Sequence, residues 1–446
     1  MLKSRAINIP ENETNFLFGV RGSGKTSLLK KLFPSALYID LLDASLYQKY
    51  LSNIGQFYET VSAFRNDGLV IVDEIQKMPH LLDEVHRLIE SSKRRFILTG
   101  SSARKIKAGG VNLLGGRAGT KYLHPFIPEE LGEDFDLNQA LRYGLLPIVW
   151  SSDNKNNKLR NYTETYLIEE IKAEALIRDI PAFARFLEVA ALCHGQVVNM
   201  SAVARDSENK EHHIRNFFSI LEDTMLGFFL PAYQAKLRVK EQKKDKFYLI
   251  DPGIARALKK NFDSVSAEEK GFLFEGLIAQ ILRAYRDYQR FYEDIYYWSS
   301  SEAQKTEVDF LLKSGKELIA IEVKAKTQVS SQDYKGLKAI SELPTVKRRI
   351  VVYLGRAIRK TENGIEIWPF DFFCKNLKEN FESLVTYEEK KSVHFPLIKE
   401  SIFLKPSIIH PSKNKKQLEE YPGGFTGSKN KKKRRELKFK KKEHCS

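Results

Sequence analysis

Cysteine is scarce in this chain. There are three in 446 residues, Cys193, Cys374 and Cys445, far apart and without the spacing of metal ligands. That excludes a cysteine-held zinc site of ordinary spacing and fits a reducing cytoplasm, the expected location, with the thiols buried or inert. Long apolar runs are also missing. None approaches the ~18 residues that a membrane-crossing helix needs, and no membrane association is expected. The start, Met1 to Ala6, is charged and has no apolar stretch behind it, so a secretory signal peptide is not expected. An aromatic content of 11% and a hydrophobic fraction of 42% exclude a largely disordered protein. At about 100–200 residues per domain, this length leaves room for two or three.

Basic residues are in excess, but unevenly. Of the net charge of +16, the segment from Lys375 onward carries +10, from 19 Lys/Arg against 9 Glu. The body is therefore only modestly basic, and bulk charge by itself does not establish a nucleic-acid partner.

The clearest motif is Gly19-Val20-Arg21-Gly22-Ser23-Gly24-Lys25-Thr26, directly after the apolar run Phe16-Leu17-Phe18. It matches GxxxxGK[ST], the phosphate-binding loop, in the required strand-then-helix context. Glycines let successive backbone N–H groups turn toward phosphate oxygens. Lys25 brings a mobile charge to the β- and γ-phosphates, and the Thr26 hydroxyl is a hard ligand for Mg²⁺. The helix from Ser27 turns its positive end to the same anion. Gly19, Gly22, Ser23, Gly24, Lys25, Thr26 and Ser27 are the expected nucleotide-binding residues.

Further on, Leu69-Val70-Ile71-Val72 ends in Asp73-Glu74, a buried parallel strand with two acids at its C-terminal end, where ligands lie in open α/β sheets. Asp73 suits Mg²⁺, held through water. Glu74 suits the polarisation of a water attacking the γ-phosphate. A next strand, Arg95 to Gly100, would set a polar side chain, Thr99 or Ser101, beside that phosphate if it lies between the other two strands; otherwise these are turn residues.

GVRGSGKTS, LVIVDEIQKMP, FILTGSSARK and LLGGRAGTKYLHPF together resemble a prokaryotic AAA-type ATPase family whose members carry a C-terminal domain of unknown function 4143. The likeness is close in the ATPase part and more diffuse to about residue 370. It implies a P-loop sheet, ATP and Mg²⁺ as cofactors, and Glu74 as the hydrolytic residue. It also makes Arg104 and Arg117 candidates for sensing the γ-phosphate, in cis or across an interface in a homo-oligomer, with a plain surface role as the alternative.

Past Pro125 and Pro128, Leu141 to Trp150 is an apolar patch and Ser151 to Asn157 a polar break with the composition of a linker. A helix is expected from Tyr162 to Ile177. Helical stretches at 182–193, 201–205 and 212–226, then a strand at Phe247–Asp251, give a winged-helix pattern. His213, Arg215 and Asn216 would begin its recognition helix, or serve packing alone.

The second chemical cluster lies downstream. An amphipathic helix beginning at Gly271 carries Glu275 on an otherwise apolar face. Glu307 to Leu312 and Leu318 to Lys324 read as a hairpin with Gly315 in its turn. Period-2 alternation puts Glu322 and Lys324 on one face, with Asp309 on the partner strand able to lie beside them. Carboxylates bind a divalent metal, and a neighbouring lysine orients or deprotonates water. The set Glu275, Asp309, Glu322-x-Lys324 resembles the PD-(D/E)xK nucleases; Ile350 to Leu354 would be a further strand beside Glu322.

The expected fold class is α/β. A P-loop NTPase parallel sheet (1–125) precedes a helical, winged-helix-like domain (126–265), an α/β restriction-endonuclease-like domain (266–375) and a basic tail (376–446). Glu74, Lys25, Thr99 and Lys324 are the expected catalytic residues, and Thr26, Asp73, Glu275, Asp309 and Glu322 the expected metal ligands. Arg117 completes the nucleotide-binding set. The expected function is ATP hydrolysis coupled to a nuclease-like domain acting on DNA; the alternative is a nucleotide-switched binding protein that does not cut.

Overall fold

The computed structural model describes residues 3–379, apart from 66–67, 103–112, 167–170, 172–176, 178, 236, 238–239 and 301–305. Arg104 and the basic tail beyond residue 379 lie outside the described residues.

The first sheet is parallel and five-stranded: β1 (Asn15–Phe18), β2 (Leu37–Asp40), β3 (Leu69–Asp73), β4 (Arg95–Gly100) and β5 (Gly119–Tyr122), in the order β2-β3-β4-β1-β5. The strand expected between the phosphate loop and the acidic strand is there: Phe16 pairs with Leu98, and Leu98 with Val72. Buried on both faces, β3 reads as the continuous apolar run Leu69 to Val72. Helices α1 (Lys25–Leu32), α2 (Ala44–Ser52), α3 (Gly55–Ala63) and α4 (Leu81–Ser92) flank the sheet. The α4 helix shows its design in sequence: Leu81, Leu82, Val85 and Leu88 form the buried stripe, while Asp83 and Glu84 face the positive end of the helix dipole.

The polar stretch expected as a linker is structured. Asn154 caps the helix Lys155–Asn161 through the N–H of Asn157 at 3.1 Å. That helix and Pro147–Trp150 close over the phosphate loop: the Ile148 N–H donates to the Gly22 carbonyl at 3.2 Å and the Tyr162 hydroxyl to the Arg21 carbonyl at 3.0 Å. The apolar patch 141–150 is thus a packing surface of the loop itself.

Helices Ile180–Leu192, Met200–Asp206 and Glu211–Asp223 follow, with a small antiparallel sheet of β6 (Gln196–Val197), β7 (Gly227–Leu230) and β8 (Lys246–Leu249) in the order β6-β8-β7. The expected strand 247–251 is corrected at both ends. It starts at Lys246, and Asp251 is instead the cap of helix Pro252–Leu258, accepting the N–H groups of Gly253 at 2.8 Å and Ile254 at 3.1 Å.

A long helix, Ala267–Gln289, starts four residues before the expected Gly271, because Ser266 and Glu269 form a reciprocal capping box. It packs against a six-stranded mixed sheet of β9 (Asp294–Ser299), β10 (Glu307–Ser314), β11 (Glu317–Lys324), β12 (Val346–Tyr353), β13 (Arg359–Lys360) and β14 (Glu366–Pro369). Its order is β13-β14-β12-β11-β10-β9. The expected hairpin is β10–β11, with Gly315 in its turn at φ 56°, and the expected further strand pairs parallel to β11, Glu322 opposite Val351.

One joint between these layers is sensitive to acid. Buried His194 accepts the Leu249 N–H on Nδ1 at 3.1 Å, so its ring is neutral. Burial, reinforced by the Lys259 charge, lowers its pKa from 6.5 to about 3. The unfolded chain takes up the proton first, so this contribution is complete above pH ~6.5 and is lost as pH falls below it. Between pH 6.5 and 5 the loss is about 2 kcal/mol. Urea unfolding at the two pH values should show it, and His194→Asn, which keeps an acceptor for Leu249, should flatten the dependence.

Candidate functional site

The first site is built at the C-terminal ends of β1, β3 and β4. After Phe18 the chain turns through the loop, and the Gly19 N–H reaches the Gly100 carbonyl at 3.3 Å. A side chain at Gly19 would come within 2.7 Å of the Leu123 carbonyl, so the close approach of the chain after β5 requires glycine. Gly24, at φ 89°, needs glycine for its backbone angle and caps α1. Lys25 is buried and donates across the loop to the Gly19 carbonyl at 2.7 Å. The buried Ser23 hydroxyl has no hydrogen-bond partner among the described residues. From outside, Arg5 donates to the Ser23 carbonyl at 2.8 Å and the His124 carbonyl at 2.6 Å.

Asp73 is the hub. Its buried carboxylate accepts the Thr26 hydroxyl at 2.7 Å and the hydroxyls of Tyr38 and Thr99. Burial, then Asp73 itself, hold the Tyr38 hydroxyl well above its ordinary pKa, so it stays a donor. Thr99 also accepts the Glu74 N–H at 3.2 Å. Glu74 is left-handed at φ 62°, a sparsely populated region for this residue and typical of constrained sites. Gln76 donates to the Glu74 carboxylate and to the Ser101 hydroxyl, the latter at 3.1 Å.

Thr26, Asp73, Glu74 and Thr99 therefore converge, with Lys25 beside them at the first position of α1. Ser27 is exposed on α1. Arg117 forms an ion pair with the exposed Glu90 of α4. Tyr38 and Gln76 were not singled out from sequence, although Gln76 lies within the LVIVDEIQKMP segment. The hard oxygens of Thr26 and Asp73 suit Mg²⁺.

The second site lies between the long helix and β10–β11. Glu322, Lys324 and Asp309 share it: Lys324 Nζ is 2.5 Å from Glu322 and 3.9 Å from Asp309, while Asp309 accepts the Val323 N–H at 2.8 Å. Glu275 reaches in from the helix and accepts the Tyr248 hydroxyl at 2.6 Å. Oxygens of Glu275, Glu307 and Asp309 converge within 4.8 Å of one another. Two members were missed in sequence. Glu307 is two before Asp309, so alternation along β10 already aligned them. Lys246 comes from β8, and its buried ammonium lies 3.0 Å from Glu275, 3.9 Å from Asp309 and against Glu307.

The electrostatics follow. Burial, then Asp309, raise the Glu322 carboxyl well above its usual range; burial also raises Glu275, against the pull of Lys246. Burial alone would lower Lys246, but Glu275 and the other acidic neighbours outweigh it and the ammonium stays charged. Glu322 Oε2 is buried without a partner among the described residues. All-oxygen donors and an orphaned buried oxygen fit a hard divalent cation such as Mg²⁺ or Mn²⁺.

On the three-helix region, His212, His213, Arg215 and Asn216 are exposed, with Arg215 bound to Glu211 at 2.6 Å. Among the described residues no helix is long and apolar enough to cross a membrane.

Residues 11–132 match a family model described as an AAA domain. Residues 134–265 and 270–373 match two domains of unknown function, DUF8612 and DUF4143. Two uncharacterized proteins, Rv2008c of Mycobacterium tuberculosis and Mb2031c of Mycobacterium bovis, are 24% identical over 297 residues. The chain spans 65% of the length of these curated relatives, and the match covers 65% of the chain. Among solved structures, the replication initiator DnaA bound to AMPPCP and single-stranded DNA is similar at 17% identity and a TM-score of 0.25, over 47% of this chain and 82% of that one. The Aeropyrum pernix ORC1 protein in complex with DNA is similar at 11% identity and a TM-score of 0.24, over 57% and 87%.

Proposed function

We propose that this chain hydrolyses ATP at the phosphate loop and couples that cycle to a metal-dependent, nuclease-like site acting on DNA. The observation that carries the ATPase reading is the Asp73 hub, which gathers Thr26, Thr99 and the Glu74 backbone at the mouth of the loop. Loop N–H groups would bind the phosphates. Lys25, released from the Gly19 carbonyl, would place its charge on the β- and γ-phosphates, and Glu74 would orient the attacking water. Thr26 and Asp73 would hold Mg²⁺, which when bound neutralises phosphate charge. A role for Arg117 at the γ-phosphate requires it to leave Glu90.

At the second site Glu275, Asp309 and Glu322, joined by Glu307, would hold a divalent cation, whose chemistry when bound is to polarise a phosphodiester oxygen and acidify water. Lys324 would sit beside the nucleophile and hold its orientation. DNA is the proposed substrate because this carboxylate–lysine set is suited to phosphodiester hydrolysis. The second reading, a nucleotide-switched protein that grips without cutting, is favoured by one observation: the Lys246 ammonium lies among the carboxylates.

A cleavage assay on single-stranded, duplex and branched DNA with Mg²⁺ or Mn²⁺ separates the two. Metal-dependent cutting is expected, with Asp309→Ala slower by about a hundredfold or more. No cutting of any form, or equal cutting by Asp309→Ala, ends the nuclease reading.

A further inference from the structure

Lys246 does not belong to the strand hairpin or helix that supply the other groups. Its backbone is held in the small sheet, opposite Val197 of β6 on one side and Leu230 of β7 on the other. From there the side chain crosses to the second site, where its ammonium contacts the same three carboxylates, Glu275, Glu307 and Asp309, whose oxygens lie close enough to share one ion. Its side chain is 3% exposed, so bulk solvent screens that charge little. A buried ammonium in this position does what a metal would do: it offsets the mutual repulsion of the acids.

The offset is incomplete. Four carboxyl groups, Glu275, Glu307, Asp309 and Glu322, share two ammonium groups, those of Lys246 and Lys324, and Glu322 Oε2 still has no partner among the described residues. The site therefore retains an open oxygen donor for a divalent cation, but its most convergent oxygens are already engaged.

We propose that Lys246 is a tethered competitor for the metal: its ammonium occupies the Glu275–Glu307–Asp309 pocket, and a divalent cation binds there fully only when that ammonium is withdrawn or removed. This rests on the reading of the second site as a metal site. Since β8 belongs to the three-helix region, the competitor is anchored outside the elements that carry the acids, and a shift of β8 would change metal occupancy.

The test is Mn²⁺ binding by the full, nucleotide-free chain, read by the electron paramagnetic resonance of free Mn²⁺, with Asp309→Asn defining the component that belongs to this site and not to the phosphate loop. Lys246→Met, which keeps the stem and drops the charge, is expected to bind at the Asp309-dependent site about tenfold or more tighter than the native chain. Lys246→Arg, which keeps the charge, is expected to bind no tighter. Lys246→Gln serves if the methionine variant does not fold, with the same outcome expected. Equal affinity in the native and charge-free chains, with binding still lost in Asp309→Asn, overturns the competitor role and leaves the metal site standing. No Asp309-dependent binding in any variant overturns both.

Discussion

Replacing Glu74 with glutamine should cut ATP turnover by about two to four orders of magnitude, the usual contribution of a positioned general base, while nucleotide binding stays near the native level. The change keeps size and removes only the charge. The groups that would bind phosphate are elsewhere: the loop N–H groups, Lys25, and the Thr26 hydroxyl held by Asp73. The fold around Glu74 also survives the substitution, because its N–H contact to Thr99 is made by the backbone. What is lost is a carboxylate at the end of β3, held in place by Gln76. Phosphate release measured beside a fluorescent-nucleotide titration separates the two effects. A variant that binds and does not turn over fits the assignment. One that turns over at the native rate transfers the role to another group, and one that no longer binds would mean that Glu74 shapes the loop.

Much of this architecture could be read from local pattern. The phosphate loop, the acidic strand and the hairpin were legible because each couples a pattern to a breaker: apolar runs ended by glycine or acids, and an alternating strand interrupted at Gly315. Ser266 and Glu269 were a readable start signal for the long helix. What stayed hidden depends on long-range contact. Lys246 sits in the run Lys243-Lys244-Asp245-Lys246, whose composition resembles a solvated turn. Only the pairing of β8 between β6 and β7 fixes which of its lysines is carried inward. Tyr38 reaches Asp73 across the β2–β3 pairing, 35 positions away. The polar break 151–157 looked like a linker because its side chains are hydrophilic, yet it is held on both sides: the Ile148 N–H before it and the Tyr162 hydroxyl after it donate to the Gly22 and Arg21 carbonyls.

Arg5 supplies the last and largest expected loss of stability. It precedes every strand and matches no motif, yet its guanidinium joins three segments: Ser23 of the phosphate loop, His124 after β5, and Glu130 at 3.0 Å. The side chains of the pair are 4% and 1% exposed. Burial holds the Glu130 carboxyl above its ordinary pKa even though Arg5 and the N–H groups of Ala6 and Ile127 favour the charged form. Breaking such a pair by deleting one partner leaves a buried charge uncompensated and costs about 3–5 kcal/mol. Arg5→Ala should show that loss in urea unfolding at neutral pH. The cost belongs mostly to the stranded carboxylate, so adding Glu130→Gln to Arg5→Ala should recover part of it, a non-additivity that marks direct coupling. Arg5→Lys keeps a charge but not the forked donors, and should fall between the native chain and the alanine variant. If Arg5→Ala is within about 1 kcal/mol of native, the pair has the small net worth of a solvent-exposed ion pair, and the phosphate loop does not depend on Arg5 for its anchoring.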